Sequence, residues 1–348
     1  EQRFTQRVSY GKILIENRRG TSSHNHNPYF ILDRDATETT GEVFFGALRM
    51  TGNFSGVVEQ TPYGETLVQM GINPHDCLLQ LDPGQSLSAP AILCGYSATG
   101  FETMSHNLHR FALDHVMSKG LRPVLYNSWE ATEFHVNCRD QIKLANKAKE
   151  LGAELFVLDD GWFGERHSIQ NGLGDWYVNE GKFPNGLEEL IDAVKGLDMK
   201  FGLWVEPEMV SEDSDLYRAH PDWALTLPGR TPAMGRNQLV LDMGRPEVVD
   251  YLTQRLSTLL RENHIEYIKW DMNRNMSDVY SRALPPERQG ETAHRYMLGV
   301  YKLLDRLTTA FPHVLFEGCA GGGGRFDAGM LCYFPQIWCS DNTDAIER

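Results

Sequence analysis

From Leu121 onward the chain repeats one unit: a short apolar run that ends in charged or aromatic residues, followed by an amphipathic helical stretch. The runs are Arg122–Trp129, Glu154–Trp162, Lys200–Pro207, Tyr267–Asp271, Val314–Glu317 and Gln336–Asp341. Between them, apolar residues recur at helical spacing: Ile142, Leu144, Ala145, Ala148 and Leu151 closed by Gly152; Leu187, Leu190, Ile191, Val194 and Leu197; Val248, Leu252, Leu256, Leu259 and Leu260 after Pro246; and a stretch from about Glu291 to Ala310. Repeated βα units require a parallel sheet with helices packed outside it. A doubly wound sheet would gather its functional residues at one switch point. Here they close run after run: Trp129, Asp159, Asp160, Trp162, Trp204, Glu206, Lys269, Asp271, Glu317, Trp338 and Asp341. That fits a (β/α)8 TIM-type barrel with its site at the carboxyl face of the strands. Six βα units precede Arg348, so the expectation is a barrel without its last two units. Val240–Met243 reads as a further strand within the long insertion between the third and fourth runs.

Residues 1–101 read differently. Arg7–Glu16 and Gly41–Arg49 alternate apolar with polar residues, and clusters of Gly, Pro, Asn and Asp separate the runs. This predicts part of an α-free β-sandwich domain. Met104, Leu108, Phe111, Ala112 and Val116 then keep a helical period, with Gly120 as the expected cap, so 102–120 reads as a linker helix and 121–348 as the catalytic barrel. Glu1 is not a natural start, and the chain is expected to begin inside a longer protein.

The balance of charge narrows the partners. Net charge is −14 and no Lys or Arg run interleaves with aromatics, so no nucleic-acid partner is expected. No apolar run reaches the ~20 residues needed to cross a bilayer, so no membrane partner is expected. The six cysteines form no C-x-x-C pair and there is no H-E-x-x-H, so no metal is expected. A first run ending Asn127-Ser-Trp129 also lacks the His-x-His of a metal-dependent amidohydrolase barrel. Few cysteines in a large chain suit a reducing compartment, which leads to a cytoplasmic expectation.

The chemistry starts at Tyr267-Ile-Lys-Trp-Asp-Met-Asn273. Lys269 and Asp271 lie two residues apart and so share one side of a strand. Seventy residues later Pro335-Gln-Ile-Trp-Cys-Ser-Asp341 brings a second carboxylate to a strand end. Two such carboxylates are what glycosidic bond cleavage requires: one attacks the anomeric carbon and one protonates the leaving oxygen. Lys269 would hold Asp271 ionised, while Asp341 has no adjacent base. The same pattern describes loop carboxylates or helix N-caps, and Asp344 competes with Asp341. Asp159 and Asp160 suit a helix cap, a divalent cation or the paired hydroxyls of a sugar. The flanking Trp162 favours the sugar. Trp129, Trp204 and Trp338 fit either a core or a stacking surface. Arg236 fits a substrate clamp or a surface charge. Gly318–Arg325 is glycine-rich after a strand but lacks the ending of a P-loop, which leaves close backbone approach to a ligand or a mobile loop.

As a set, Asn127-Ser-Trp129, Leu158-Asp-Asp-Gly-Trp162, Gly202–Pro207, Lys269–Arg274, Glu317–Arg325 and Trp338–Asp344 resemble the α-galactosidases of glycoside hydrolase family 36. The resemblance runs from about residue 1 to the end. It implies the latter part of an N-terminal β-supersandwich followed by six strands of a (β/α)8 barrel. It implies Asp271 as nucleophile and Asp341 as acid/base, with Asp159 and Asp160 on the galactose 4- and 6-hydroxyls. Lys269, Arg236, Trp204, Trp129, Trp338 and Asn273 match sugar-binding positions, and Cys319 and Gly322 match the loop that leaves room for a plain 2-hydroxyl. Gly318 and Cys339 depart from the expected Ser and Thr. The implied partners are α-galactoside oligosaccharides such as melibiose and raffinose, with no cofactor, and the full-length protein would be a homo-oligomer. Alternatives are an α-N-acetylgalactosaminidase or galactosyl transferase of the same family, or a non-catalytic sugar-binding fragment.

Overall fold

The computed structural model describes residues 5–22, 24–117 and 120–346. The chain forms two compact units, Glu1–Met117 with Gly324–Cys332, and Ser118–Gly323 with Tyr333–Arg348.

In the first unit the alternating runs become strands β1 (Gly11–Glu16), β2 (Tyr29–Asp33), β3 (Val43–Leu48), β4 (Phe54–Gln60), β5 (Thr66–Ile72) and β6 (Ile92–Ser97), followed by helix α1 (Gly100–His115). They form two antiparallel sheets, ordered β1-β4-β5 and β2-β3-β6. Each sheet buries one face, as period-2 alternation requires. Leu48, Met50 and Phe54 pack with Ile15, Met70 and Ile72, and Val43 and Phe45 pack with Met104 of α1. The helix ends at His115, capped by Val116 through Ala112 O, so Gly120 lies beyond its end; residues 118 and 119 fall outside the described residues. Residues 324–332 join this unit through Asp327, a buried carboxylate that accepts from Thr51 Oγ1 at 2.7 Å, from Ser22 Oγ and from the N–H groups of Gly329 and Met330.

The second unit continues with β7 (Leu125–Asn127), α2 (Trp129–Thr132), α3 (Cys138–Glu150), β8 (Leu155–Leu158), α4 (Glu188–Gly196), β9 (Lys200–Val205), β10 (Met209–Val210), α5 (Asp215–Ala219), β11 (Leu239–Val240), α6 (Pro246–Glu262), β12 (Tyr267–Trp270), α7 (Thr292–Ala310), β13 (Leu315–Gly318) and β14 (Gln336–Ile337). Six strands form a parallel sheet ordered β14-β13-β12-β9-β8-β7, an open half-barrel with β7 and β14 at its edges. The Val240 segment is a strand, but it pairs antiparallel with β10 outside that sheet. Leu155, Val157 and Tyr267 form the inner core with Leu125 and Leu315. Gly202 is required there, because a Cβ would lie 2.6 Å from the Tyr267 ring. On the outer face Val205, Ile268, Trp270 and Phe316 meet Leu256, Leu259 and Leu260 of α6 and Leu307 of α7. Each fully buried side chain of this size contributes roughly 1.5–3 kcal/mol.

The strands are shorter than their sequence runs, and the residues beyond their last rungs build the site. Lys269 pairs with Trp204 on one side and Glu317 on the other. The ladder then continues one step, through Asp271 N to Val205 O at 2.8 Å, Cys319 N to Trp270 O at 2.7 Å and Trp338 N to Gly318 O at 2.8 Å. This lays Glu206, Asp271, Cys319 and Trp338 along one edge of the sheet.

Candidate active site

Asp271 is buried and fully engaged. Its Oδ2 accepts from Trp204 Nε1 at 3.1 Å and Asn273 Nδ2 at 2.7 Å, and its Oδ1 accepts from Met272 N at 2.8 Å. Three N–H donors define the carboxylate's orientation. Arg236 Nη1 reaches Asn273 Oδ1 at 3.5 Å. Arg236 is exposed and takes a left-handed backbone, φ 51°, in an irregular turn that presents its guanidinium toward Asn273.

Lys269 does not pair directly with Asp271 as the sequence suggested. Its ammonium contacts Asp159 Oδ2 at 3.1 Å, with both side chains buried. Burial pulls this lysine down, but Asp159 and then Asp271 outweigh it and hold it above the ordinary lysine value. One cation thus serves two carboxylates, and Asn127 Nδ2 also donates to the Asp159 oxygen that the ammonium contacts. The ammonium also lies 4.8 Å from the centre of the Trp338 ring. Trp338 Nε1 donates to Asp341 Oδ1 at 2.9 Å. A continuous path therefore joins Asp159, Lys269, Trp338 and Asp341. Asp341 is exposed. Asp344 caps its own turn, accepting from Ile346 N at 2.9 Å.

Asp160 has a different cationic partner from Asp159. Arg166 forks onto it, Nε to Oδ1 at 2.9 Å and Nη2 to Oδ2 at 2.8 Å, with both groups buried. Burial pushes the Asp160 carboxyl up and the guanidinium opposes it. Trp162, which favoured a sugar in the sequence, is wholly buried and donates to Trp204 O at 3.0 Å. It supports the Trp204 strand from behind and offers no stacking face. Trp129 is half-buried and opens α2, because Asn127 Oδ1 accepts its N–H at 2.8 Å and turns the chain at the strand end. Its ring meets Phe134 edge-on at 5.1 Å.

The loop after β13 brings Cys319 under the site, buried, with burial and Asp271 holding its thiol well above the ordinary value. Gly322 has φ +85° and a Cβ there would lie 3.0 Å from Ser340 Cα, so glycine lets this loop lie against the Asp341 segment. Among the described residues no three His, Cys, Asp or Glu side chains converge to hold a metal ion, and no helix is long and apolar enough to cross a membrane.

Three participants were not legible as such in the sequence. Arg166 lies in an irregular stretch with no periodic signal. Gln238 is wholly buried and donates from Nε2 to Glu206 Oε2 at 2.9 Å. Glu206 ends a run, which marked it, but nothing local shows that it is wholly buried and accepts the backbone N–H of Asn273. Burial first, and then Asp271, push its carboxyl up to about 8.

Residues 86–348 match the family described as Melibiase, and residues 1–82 match the glycosyl hydrolase family 36 N-terminal domain. The chain is similar to alpha-galactosidase AgaA of Geobacillus stearothermophilus, 52% identical over 97% of this chain and 47% of that protein. It is also similar to alpha-galactosidase 1 of Pediococcus pentosaceus, 47% identical over 98% of this chain and 47% of that one. A crystal structure of AgaA superposes with a TM-score of 0.95 at 50% identity, covering 98% of this chain and 48% of AgaA. Other AgaA crystal structures, at TM-scores of 0.95 and 0.94, hold stachyose and raffinose. The chain spans about half the length of the curated relatives it matches. With a family match across three quarters of its length, the chain belongs to the melibiase family, glycoside hydrolase family 36.

Proposed function

We propose that the full protein containing this chain is a retaining α-galactosidase acting on α-galactosides of the melibiose and raffinose type, with Asp271 as nucleophile and Asp341 as acid/base. The observation that carries this reading is the contrast between the two carboxylates. Asp271 is buried among three N–H donors, whereas Asp341 is exposed and has one indole partner. A nucleophile needs fixed orientation and negative charge, and an acid/base needs freedom to gain and lose a proton.

In the first step Asp271 attacks C1 and its Oδ–C1 bond forms as the glycosidic bond breaks. Asp341 gives its proton to the departing oxygen. In the second, Asp341 takes a proton from water, whose oxygen attacks C1 and releases Asp271, so the anomeric configuration is retained. Asp159, tied to Lys269, would accept from galactose hydroxyls, and Asp160, braced by Arg166, would do the same. Trp129, Trp204, Trp338, Arg236 and Asn273 would shape the sugar pocket, and the Cys319–Gly322 loop would border the 2-hydroxyl. The identification of galactosides draws support from the stachyose and raffinose held by AgaA. We further propose a homo-oligomer in the cytoplasm; Cys94, Cys138, Cys319, Cys332 and Cys339 are free thiols, compatible with a reducing compartment.

Azide separates the two roles in the full-length protein. Asp341→Gly on an activated aryl α-galactoside should still form the β-galactosyl enzyme, and azide, needing no base, should give α-galactosyl azide. Asp271→Gly should give β-galactosyl azide by direct attack. Swapped products would reverse the roles, and full activity of Asp341→Gly on melibiose together with loss in Asp344→Gly would move the acid/base to Asp344.

A further inference from the structure

We propose that Glu206 is a positioning residue that stands as a neutral carboxylic acid behind Asp271, its proton held by Gln238, and that losing this proton breaks the Asn273 clasp on Asp271. The inference rests on the reading of Asp271 as nucleophile only for its catalytic consequence.

Two carboxyl groups share one buried site. Asn273 bridges them, donating its backbone N–H to Glu206 Oε1 and its side-chain amide to Asp271 Oδ2. Two carboxylates this closely linked in the interior do not both ionise readily. The donors decide which keeps the proton. Asp271 receives three N–H groups and lies within the field of Lys269, while Glu206 receives two. Hydrogen bonds to the charged form favour charge, so the proton falls to Glu206, which receives fewer. Arg166 and Arg236, both cationic, oppose this assignment. Burial and Asp271 outweigh them, and the carboxyl sits near 8.

Gln238 is the side chain placed to hold that proton. It is wholly buried, and its Oε1 has no hydrogen-bond partner among the described residues. A half-turn of the amide places Oε1 where Nε2 now meets Glu206 Oε2, and a protonated Glu206 then donates to it. When Glu206 loses that proton, the donor disappears and a second negative charge stands beside Asp271. Ionised Glu206 then binds the Asn273 backbone N–H more strongly and draws that residue toward itself while the two anions repel, so Asn273 no longer fixes the nucleophile.

Two measurements test this. In the first, the full-length protein is labelled with carbon-13 at its glutamate carboxyls, and infrared difference spectra are taken between wild type and Glu206→Gln. A protonated-acid carbonyl band should be present at about pH 6 and fade through about 8; its absence at about pH 6 overturns the proposal, whatever the enzyme does. The second measures α-galactosyl fluoride hydrolysis by the full-length protein, because fluoride leaves without a proton from Asp341. Above about 8, wild-type kcat/KM should fall about tenfold per pH unit. Glu206→Ala should lose at least about tenfold at neutral pH, and Glu206→Gln should rescue it and remove the alkaline fall. A Gln variant as damaged as the Ala variant would mean that Glu206 works as an anion, which overturns the proposal. Failure of wild type itself to turn over the fluoride would sink the galactosidase reading and leave the infrared result to decide on Glu206.

Discussion

Arg166→Met tests how the half-barrel pays for burying Asp160. The guanidinium and the carboxylate are both buried, joined by contacts at 2.8, 2.9 and 3.2 Å, and Nη1 also donates to Asn171 O at 3.0 Å. Methionine keeps most of the volume and removes the charge. Asp160 then has two routes. Remaining ionised and unpaired costs roughly 3–5 kcal/mol. Taking a proton costs about 1.4 kcal/mol for each unit between the solution pH and the unfolded value of ~3.9, hence about 4 kcal/mol at pH 7. The cheaper route caps the loss, and the lost Asn171 contact adds about 1 kcal/mol. In the variant the folded carboxyl titrates above the unfolded one, so the penalty vanishes below ~3.9 and grows as pH rises. Urea unfolding followed by tryptophan fluorescence should show a destabilisation of about 4–5 kcal/mol at pH 7, shrinking to about 2–3 at pH 5. Asp160→Asn combined with Arg166→Met should recover most of it, because no charge is then stranded. A loss that is the same at both pH values, or below about 1 kcal/mol, would refute the reasoning and assign the pair to surface-like electrostatics.

Glu206 makes stability itself pH-dependent. Its folded value is raised, so its contribution is complete below the unfolded carboxylate value and is lost as pH climbs to about 8, by an amount on the order of several kcal/mol; Glu206→Gln should flatten the urea midpoint over that window. Gly322→Ala should force the loop away from Ser340, since both the φ of +85° and the 3.0 Å approach oppose a side chain; a loss of about 1–3 kcal/mol is expected by thermal melting, and an unchanged midpoint would show that the loop yields freely. The edge strands β7 and β14 expose unpaired backbone, so the 348-residue chain should self-associate on sedimentation, and a monodisperse monomer would count against that.

The sequence alone determined the repeating βα plan, the half-barrel's six strands and the strand-end positions of Asp159, Trp204, Lys269, Asp271 and Asp341. All of these are local signals: a period of 3.6, a short apolar run, a charge where a buried strand should stop. Partners across strands carry no such signal. Lys269 lies two residues from Asp271 yet contacts Asp159, 110 residues away, because β8, β9 and β12 lie side by side in the sheet. Trp162 looked like a stacking surface beside paired aspartates, and packing turned it inward onto Trp204 O. Arg166 on Asp160 and Gln238 on Glu206 arise only when irregular segments fold back over the sheet edge. Which carboxyl is ionised is likewise a tertiary property. It depends on how many N–H groups and charges converge on each, and two carboxylates that look alike in sequence differ only after burial.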